Sequence, residues 1–234
     1  MQPLIPIDGG PIYAETDLSA WMSEPWNAWS SLAIALPSVI WAIRLKWDYR
    51  RFPFLFFLIP LLFLGGLGST LYHAFRASKL LLWMDVYPTA VVTFSVSVYF
   101  WNKILQRRWQ VASIMVPFVI LRFFFLDQMS GHLAVNLSYF TTGVFIFLPL
   151  LILLINTNFR HFSAALASIF FLSVSLVMRR IDHAAAEYLP MGSHFLWHIL
   201  SGFGAYYLAK FLFLIRSDEL SVTKQDFTSF KTER

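Results

Sequence analysis

Seven long apolar runs, broken by short polar or charged stretches, dominate the chain. Each is about as long as the roughly 20 residues an α-helix needs to cross the hydrocarbon core of a bilayer. The pattern predicts helices over about 26–43, 53–74, 80–100, 110–126, 133–155, 162–178 and 194–215. Arg44, Lys46, Arg50 and Arg51 close the first run, the polar stretch Asn156–Arg160 the fifth, and Arg179–Arg180 the sixth. Only Asp127–His132 separates the fourth from the fifth, so those two form a tight helical hairpin. Residues 1–215 therefore read as a single all-α membrane bundle, and 216–234 as a polar, disordered tail. There is no internal repeat.

Composition explains why these runs belong in lipid. The 234 residues are 58% hydrophobic and only 13% charged, where a soluble chain carries about 25% charged residues. With 25 Phe and 9 Trp, the apolar surface exceeds what so short a chain can enclose in its own core. There is no cysteine, which excludes a disulfide framework and a thiolate metal site. The opening MQPLIPIDGG lacks the basic stretch and cleavable core of a signal peptide, so the first span is expected to direct insertion.

The net charge of +5 lies at helix ends and in the tail, which argues against a nucleic-acid partner and makes it a topology signal. The segments after spans one, three, five and seven hold most of the cations, among them Lys103, Arg107, Arg108, Arg160 and Arg216. The opposite side has few: Arg76, Lys79, Arg179 and Arg180. The positive-inside rule then places the N-terminus outside and the C-terminus in the cytosol.

Ionisable groups inside membrane spans are costly and point to function. Ser69 and His73 are four residues apart, as are His194 and His198, so each pair shares one helix face. The second span ends, and the third and seventh begin, on the same side. Ser69, His73, Asp85, His194 and His198 are thus expected at one depth. Neutral imidazole suits zinc, and three protein ligands leave a fourth position open. A zinc ion so held makes a nucleophile of water at neutral pH and polarises a carbonyl oxygen. Asp85 is placed to take a proton or to orient a ligand histidine, and Ser69 to donate a hydrogen bond to an oxyanion. Together these describe amide or ester hydrolysis at a membrane surface.

Plainer roles stand beside these. A lone intramembrane histidine serves as an interhelical hydrogen-bond partner, and Ser69, four residues after Gly65, as a small packing residue. Asp85 could be a structural hydrogen-bonder. Asp182 could support a ligand, His183 is a reserve ligand, and His132 and His161 fall in solvated loops. A transporter reading requires polar residues spread through the membrane depth, whereas these gather near one face. A retinal protein is excluded because Lys210 lies roughly 24 Å deeper than His194 at 1.5 Å per residue.

The run Gly68–His73 (GSTLYH), then Asp85, then His194–His198 (HFLWH) resembles the alkaline ceramidase family. That family belongs to a wider superfamily of seven-helix membrane hydrolases that includes the adiponectin receptors. Tyr13-Ala14-Glu15 and the stretch Glu24–Ser30 (EPWNAWS) are similar to its N-terminal block, and the resemblance spans about residues 12–214. It implies a zinc on His73, His194 and His198, with Ser69 and Asp85 as catalytic partners, and cleavage of ceramide or a related N-acyl lipid to a long-chain amine and a fatty acid. A receptor-like or lipid-remodelling member with another substrate is the alternative within the superfamily. The resemblance also implies a calcium site, with Glu15, Asp17 and Glu24 at matching places. The chain departs from the family at Ala14, where the family has Cys, and at Ile12 and Val86, where acids are expected.

Overall fold

The structure is a computed structural model that describes residues 6–129 and 131–232, and the side chains of all of these except 126, 127, 131, 132 and 223–232. Its helices are α1 (Pro25–Arg44), α2 (Pro53–Phe75), α3 (Lys79–Ile104), α4 (Arg108–Gln128), α5 (Gly131–Asn156), α6 (Phe162–Arg180), the short α7 (Asp182–Ala185) and α8 (His194–Thr232). All but α7 are long and apolar enough to cross a membrane. The chain is an all-α, multi-pass membrane bundle, with span ends close to those read from hydropathy.

Local chemistry sets the helix starts. Pro25 and Pro53 open α1 and α2, where a missing N–H costs nothing and the fixed φ is already helical. Ser78 caps α3 by accepting the Leu81 N–H at 3.4 Å. Each of α1 to α5 also carries an interior proline: Pro37, Pro60, Pro88, Pro117 and Pro149. A soluble helix would break there, but a membrane helix tolerates proline because its neighbours and side chains satisfy the freed backbone groups.

Helix α1 packs against α2 and α8, α2 against α3, and α6 against α8; α5 joins α3 to α6, and α4 lies outside against α3 and α5. The α1–α8 contact depends on Gly202, since a Cβ there would lie 2.2 Å from the Ala33 carbonyl oxygen. Backbones this close are the usual result of small residues at membrane helix interfaces. Large apolar side chains such as Ile120 and Phe123 point outward, where lipid rather than water meets them.

The two ends of the bundle differ in character. Around Trp41, Phe52, Phe100, Leu150 and Phe211 the interior is an apolar plug. At the other end it is polar and holds the histidines. Helix α8 also runs further than expected. It is described as helix to Thr232, past the span end at 215 read from hydropathy. The first acidic residues past the expected end are paired: Asp218 with Arg160 at 2.8 Å and His161 at 2.7 Å, and Glu219 with Lys103 and Arg216. His161 is accordingly engaged rather than simply solvated; the side chain of His132 lies outside the described ones.

Candidate metal centre

The depth argument predicts that three helices bring their polar residues together, and the two that carry the histidines, α2 and α8, do so. His73 lies near the end of α2, and His194 and His198 fill the first two turns of α8. All three are buried, with ring centroids 4.7 Å (His194–His198), 4.9 Å (His73–His198) and 5.4 Å (His73–His194) apart. One ring nitrogen from each lies within 4.8 Å of the others, a group that could hold a metal ion.

The outer nitrogens of two of these rings are held. His73 Nδ1 meets Glu24 Oε2 in a short hydrogen bond between two fully buried side chains. A carboxylate only accepts, so the proton is on Nδ1 and Nε2 keeps its lone pair. His198 Nδ1 lies 2.9 Å from Ser30 Oγ and 3.2 Å from Ser31 Oγ. Ser31 Oγ is within donating distance of the Asn27 carbonyl oxygen at 2.7 Å and of Ser69 Oγ at 3.0 Å, and Ser30 Oγ lies 3.1 Å from the same carbonyl. The serine oxygens are then acceptors for an Nδ1–H, and Nε2 is again left with its lone pair. A metal-binding histidine characteristically has its other nitrogen engaged in this way. His194 is fixed differently: its backbone N–H donates to Asp182 Oδ1 at 2.8 Å, and its ring stacks on Tyr13 at 3.8 Å.

Ser69 and Asp85 adjoin this group. Ser69 is buried one turn before His73, its hydroxyl 3.0 Å from that of Ser31. Asp85, half-buried in α3, lies beside Ser69. Gly68 makes that meeting possible: a Cβ there would stand 2.3 Å from the Met84 carbonyl oxygen and 2.9 Å from the Asp85 nitrogen.

The three carboxylates expected to bind calcium go to separate partners. Glu15 accepts the N–H groups of Trp26 at 3.0 Å and Asn27 at 2.6 Å, capping α1. Burial pushes its carboxyl above the usual range in spite of those two bonds. Asp17 is exposed and bonds the Ser19 hydroxyl and backbone, which hold its carboxyl below the usual range. Glu24 is buried, which opposes ionisation, but the His73 hydrogen bond and the Arg76 charge outweigh this and keep its carboxyl low. Among the described residues, only the three histidines form a group suited to a metal. The positive charge beside Glu24 is supplied by Arg76, whose guanidinium also pairs with Asp8 at 2.7 and 3.0 Å.

Arg76 and Asp8 are buried parts of the site that sequence reasoning passed over. The available signal was Arg76 itself, three residues after His73 on the side poor in cations. Asp182 is a backbone clamp: it accepts the N–H groups of Ala14, Ser193 and His194. His183 is exposed and bonds the Ile12 carbonyl, away from the triad. Arg179 lies buried among the rings of Tyr13, Tyr139 and Trp197, 5.1–5.6 Å from their centroids. This is a cation–π setting.

Fold and site define a seven-helix membrane protein with a buried cluster of three histidines able to hold a metal ion. Neither the models of known protein families nor the curated proteins gave a match to the chain.

Proposed function

We propose that this protein is a zinc-dependent amide hydrolase of membrane lipids, acting on ceramide or a related N-acyl lipid to release a fatty acid and a long-chain amine. The observation that carries the reading is the pair of outer-nitrogen contacts, Glu24 to His73 and Ser30/Ser31 to His198. They favour the tautomer in which the inner nitrogens offer lone pairs to a metal, and three imidazoles with one open position are a catalytic zinc donor set. The resemblance of GSTLYH, Asp85 and HFLWH to the alkaline ceramidases supplies the substrate class.

When bound, zinc supplies Lewis-acid polarisation of the amide carbonyl and acidifies water. The chain's own residues do the rest. Asp85 accepts the proton of the attacking water and returns it to the leaving amine. Ser69 donates its hydroxyl proton to the carbonyl oxygen as negative charge develops there. Tyr13, stacked on His194, helps to cover the triad. The apolar plug at the far end weighs against an ion path through the bundle. The distribution of cations supports an orientation with the site on the non-cytosolic side.

The test is elemental analysis of protein purified without chelators, with fatty-acid release from a short-chain ceramide measured on the same samples. One zinc per chain, lost together with hydrolysis in His194→Ala and His198→Ala, is the expected result. Zinc without hydrolysis would move the reading to another lipid or to a receptor. Absence of zinc would end it.

A further inference from the structure

The end of the bundle away from the histidines carries two adjoining cavities, of about 250 and 240 Å³, that share Phe52 as a wall. The first is lined by Arg44, Lys46, Asp48, Arg51, Phe52 and Phe213, three cations to one carboxylate, with the Arg44 guanidinium donating to the Tyr206 hydroxyl at 2.5 Å. That carboxylate accepts the Arg51 backbone N–H at 3.3 Å, while the Arg51 side chain, 63% exposed, approaches it only to 3.7 Å. The second cavity is more apolar, floored by Leu55 and Leu212, with Lys103 and Arg216 both turned to Glu219. The loop that carries the cations is held in shape. Asp48 N–H bonds the Leu45 carbonyl at 2.9 Å and Phe52 N–H the Asp48 carbonyl at 3.3 Å. Trp47 and Tyr49 project from it, largely exposed, as aromatic residues do at the level of lipid headgroups.

We infer that the cavity rimmed by Arg44, Lys46 and Arg51 binds the headgroup of an anionic phospholipid, with an acyl chain running along the apolar cavity beyond Phe52. Topology alone would need only cations near the helix ends. It would not need them arranged around a recess that opens beside a second, apolar one at the end of a membrane span. Basic recesses of this kind between membrane helices are the usual receptors for acidic headgroups. The cavity is formed by residues remote from the histidines, so the inference does not depend on the hydrolase reading.

The full chain in neutral detergent is titrated with short-chain phosphatidylglycerol, phosphatidylcholine of equal chain length, and inorganic phosphate, with binding followed by thermal shift. Phosphatidylglycerol is expected to bind about tenfold more tightly than phosphatidylcholine, and Lys46→Gln/Arg51→Gln to lose about tenfold of that affinity. Arg107→Gln/Arg108→Gln removes two cations at the start of α4, which line neither cavity, and is expected to bind as the parent does. An equal loss in both variants would overturn the proposal in favour of diffuse attraction to a basic face. Equal binding of the two lipids would overturn it as well. Inorganic phosphate binding as tightly as phosphatidylglycerol would reduce the site to a simple anion site.

Discussion

Glu24 and His73, 49 residues apart and both fully buried, share a hydrogen bond through the histidine's outer nitrogen. The carboxylate holds one tautomer of the ring and, through its other oxygen, the guanidinium of Arg76. Removing its charge while keeping its shape, Glu24→Gln, is expected to weaken zinc binding about 10- to 100-fold. Ser31→Ala, which leaves Ser30 in place beside His198, should cost less. Competition with a chromophoric chelator measures both. Unchanged affinity in Glu24→Gln would mean that the carboxylate serves only to balance Arg76.

Gly68 lets α3 come close enough for Asp85 to meet Ser69. Gly68→Ala forces a Cβ into the Met84 carbonyl and must push the helices apart. The expected cost is about 1–3 kcal/mol of stability, the usual range for overpacking a tight contact. Fatty-acid release should fall while zinc content holds, because the histidines lie on α2 and α8 and not on α3. A parallel loss of zinc would show that the disturbance reaches the triad.

Asp182 joins three pieces of chain by accepting from Ala14 at 2.9 Å and from Ser193 and His194 at 2.8 Å each. Asp182→Ala leaves three N–H groups without their acceptor and should destabilise the protein by about 1–3 kcal/mol. Asp182→Asn, with one acceptor oxygen left, should recover part of that. The check is the melting temperature of the two variants in one detergent, and equal melting temperatures for the two would argue against the backbone clamp.

Burial raises the Glu15 carboxyl. A group whose pKa is higher in the folded protein contributes stability below its unfolded value, and that contribution disappears as pH rises through the folded value. The stability advantage of the parent over Glu15→Gln should therefore be greatest in acid and shrink between about pH 4 and pH 7. Melting curves of both proteins across that range test it. An advantage that grows with pH would mean the two capping bonds to Trp26 and Asn27 outweigh the burial.

Hydropathy alone located the seven spans, because a lipid-facing helix has to be apolar around most of its surface. It also placed His73, His194 and His198 at one depth, since 1.5 Å per residue converts position into height once the direction of each span is known. What it could not give was lateral pairing. Glu24, Ser30 and Ser31 belong to the start of α1, and nothing in their spacing says that α1 lies beside α2 and α8. The resemblance offers Glu24 as a calcium ligand; only the packing of α1 shows that its oxygens face His73 and Arg76. Asp8 was invisible for the same reason: a carboxylate in a polar N-terminal stretch looks solvated until a buried arginine is found against it.

The clasp between Ala14 and Asp182 spans 168 residues of chain. Membrane helices insert first and pack afterwards, so Tyr13 and Ala14 are synthesised long before the residues that hold them. Until α8 enters the bilayer, a growing chain has only one of the three histidines, His73, with its partner Glu24. On the zinc reading proposed above, metal capture would come at the end of biogenesis, and zinc content would report that every crossing is complete.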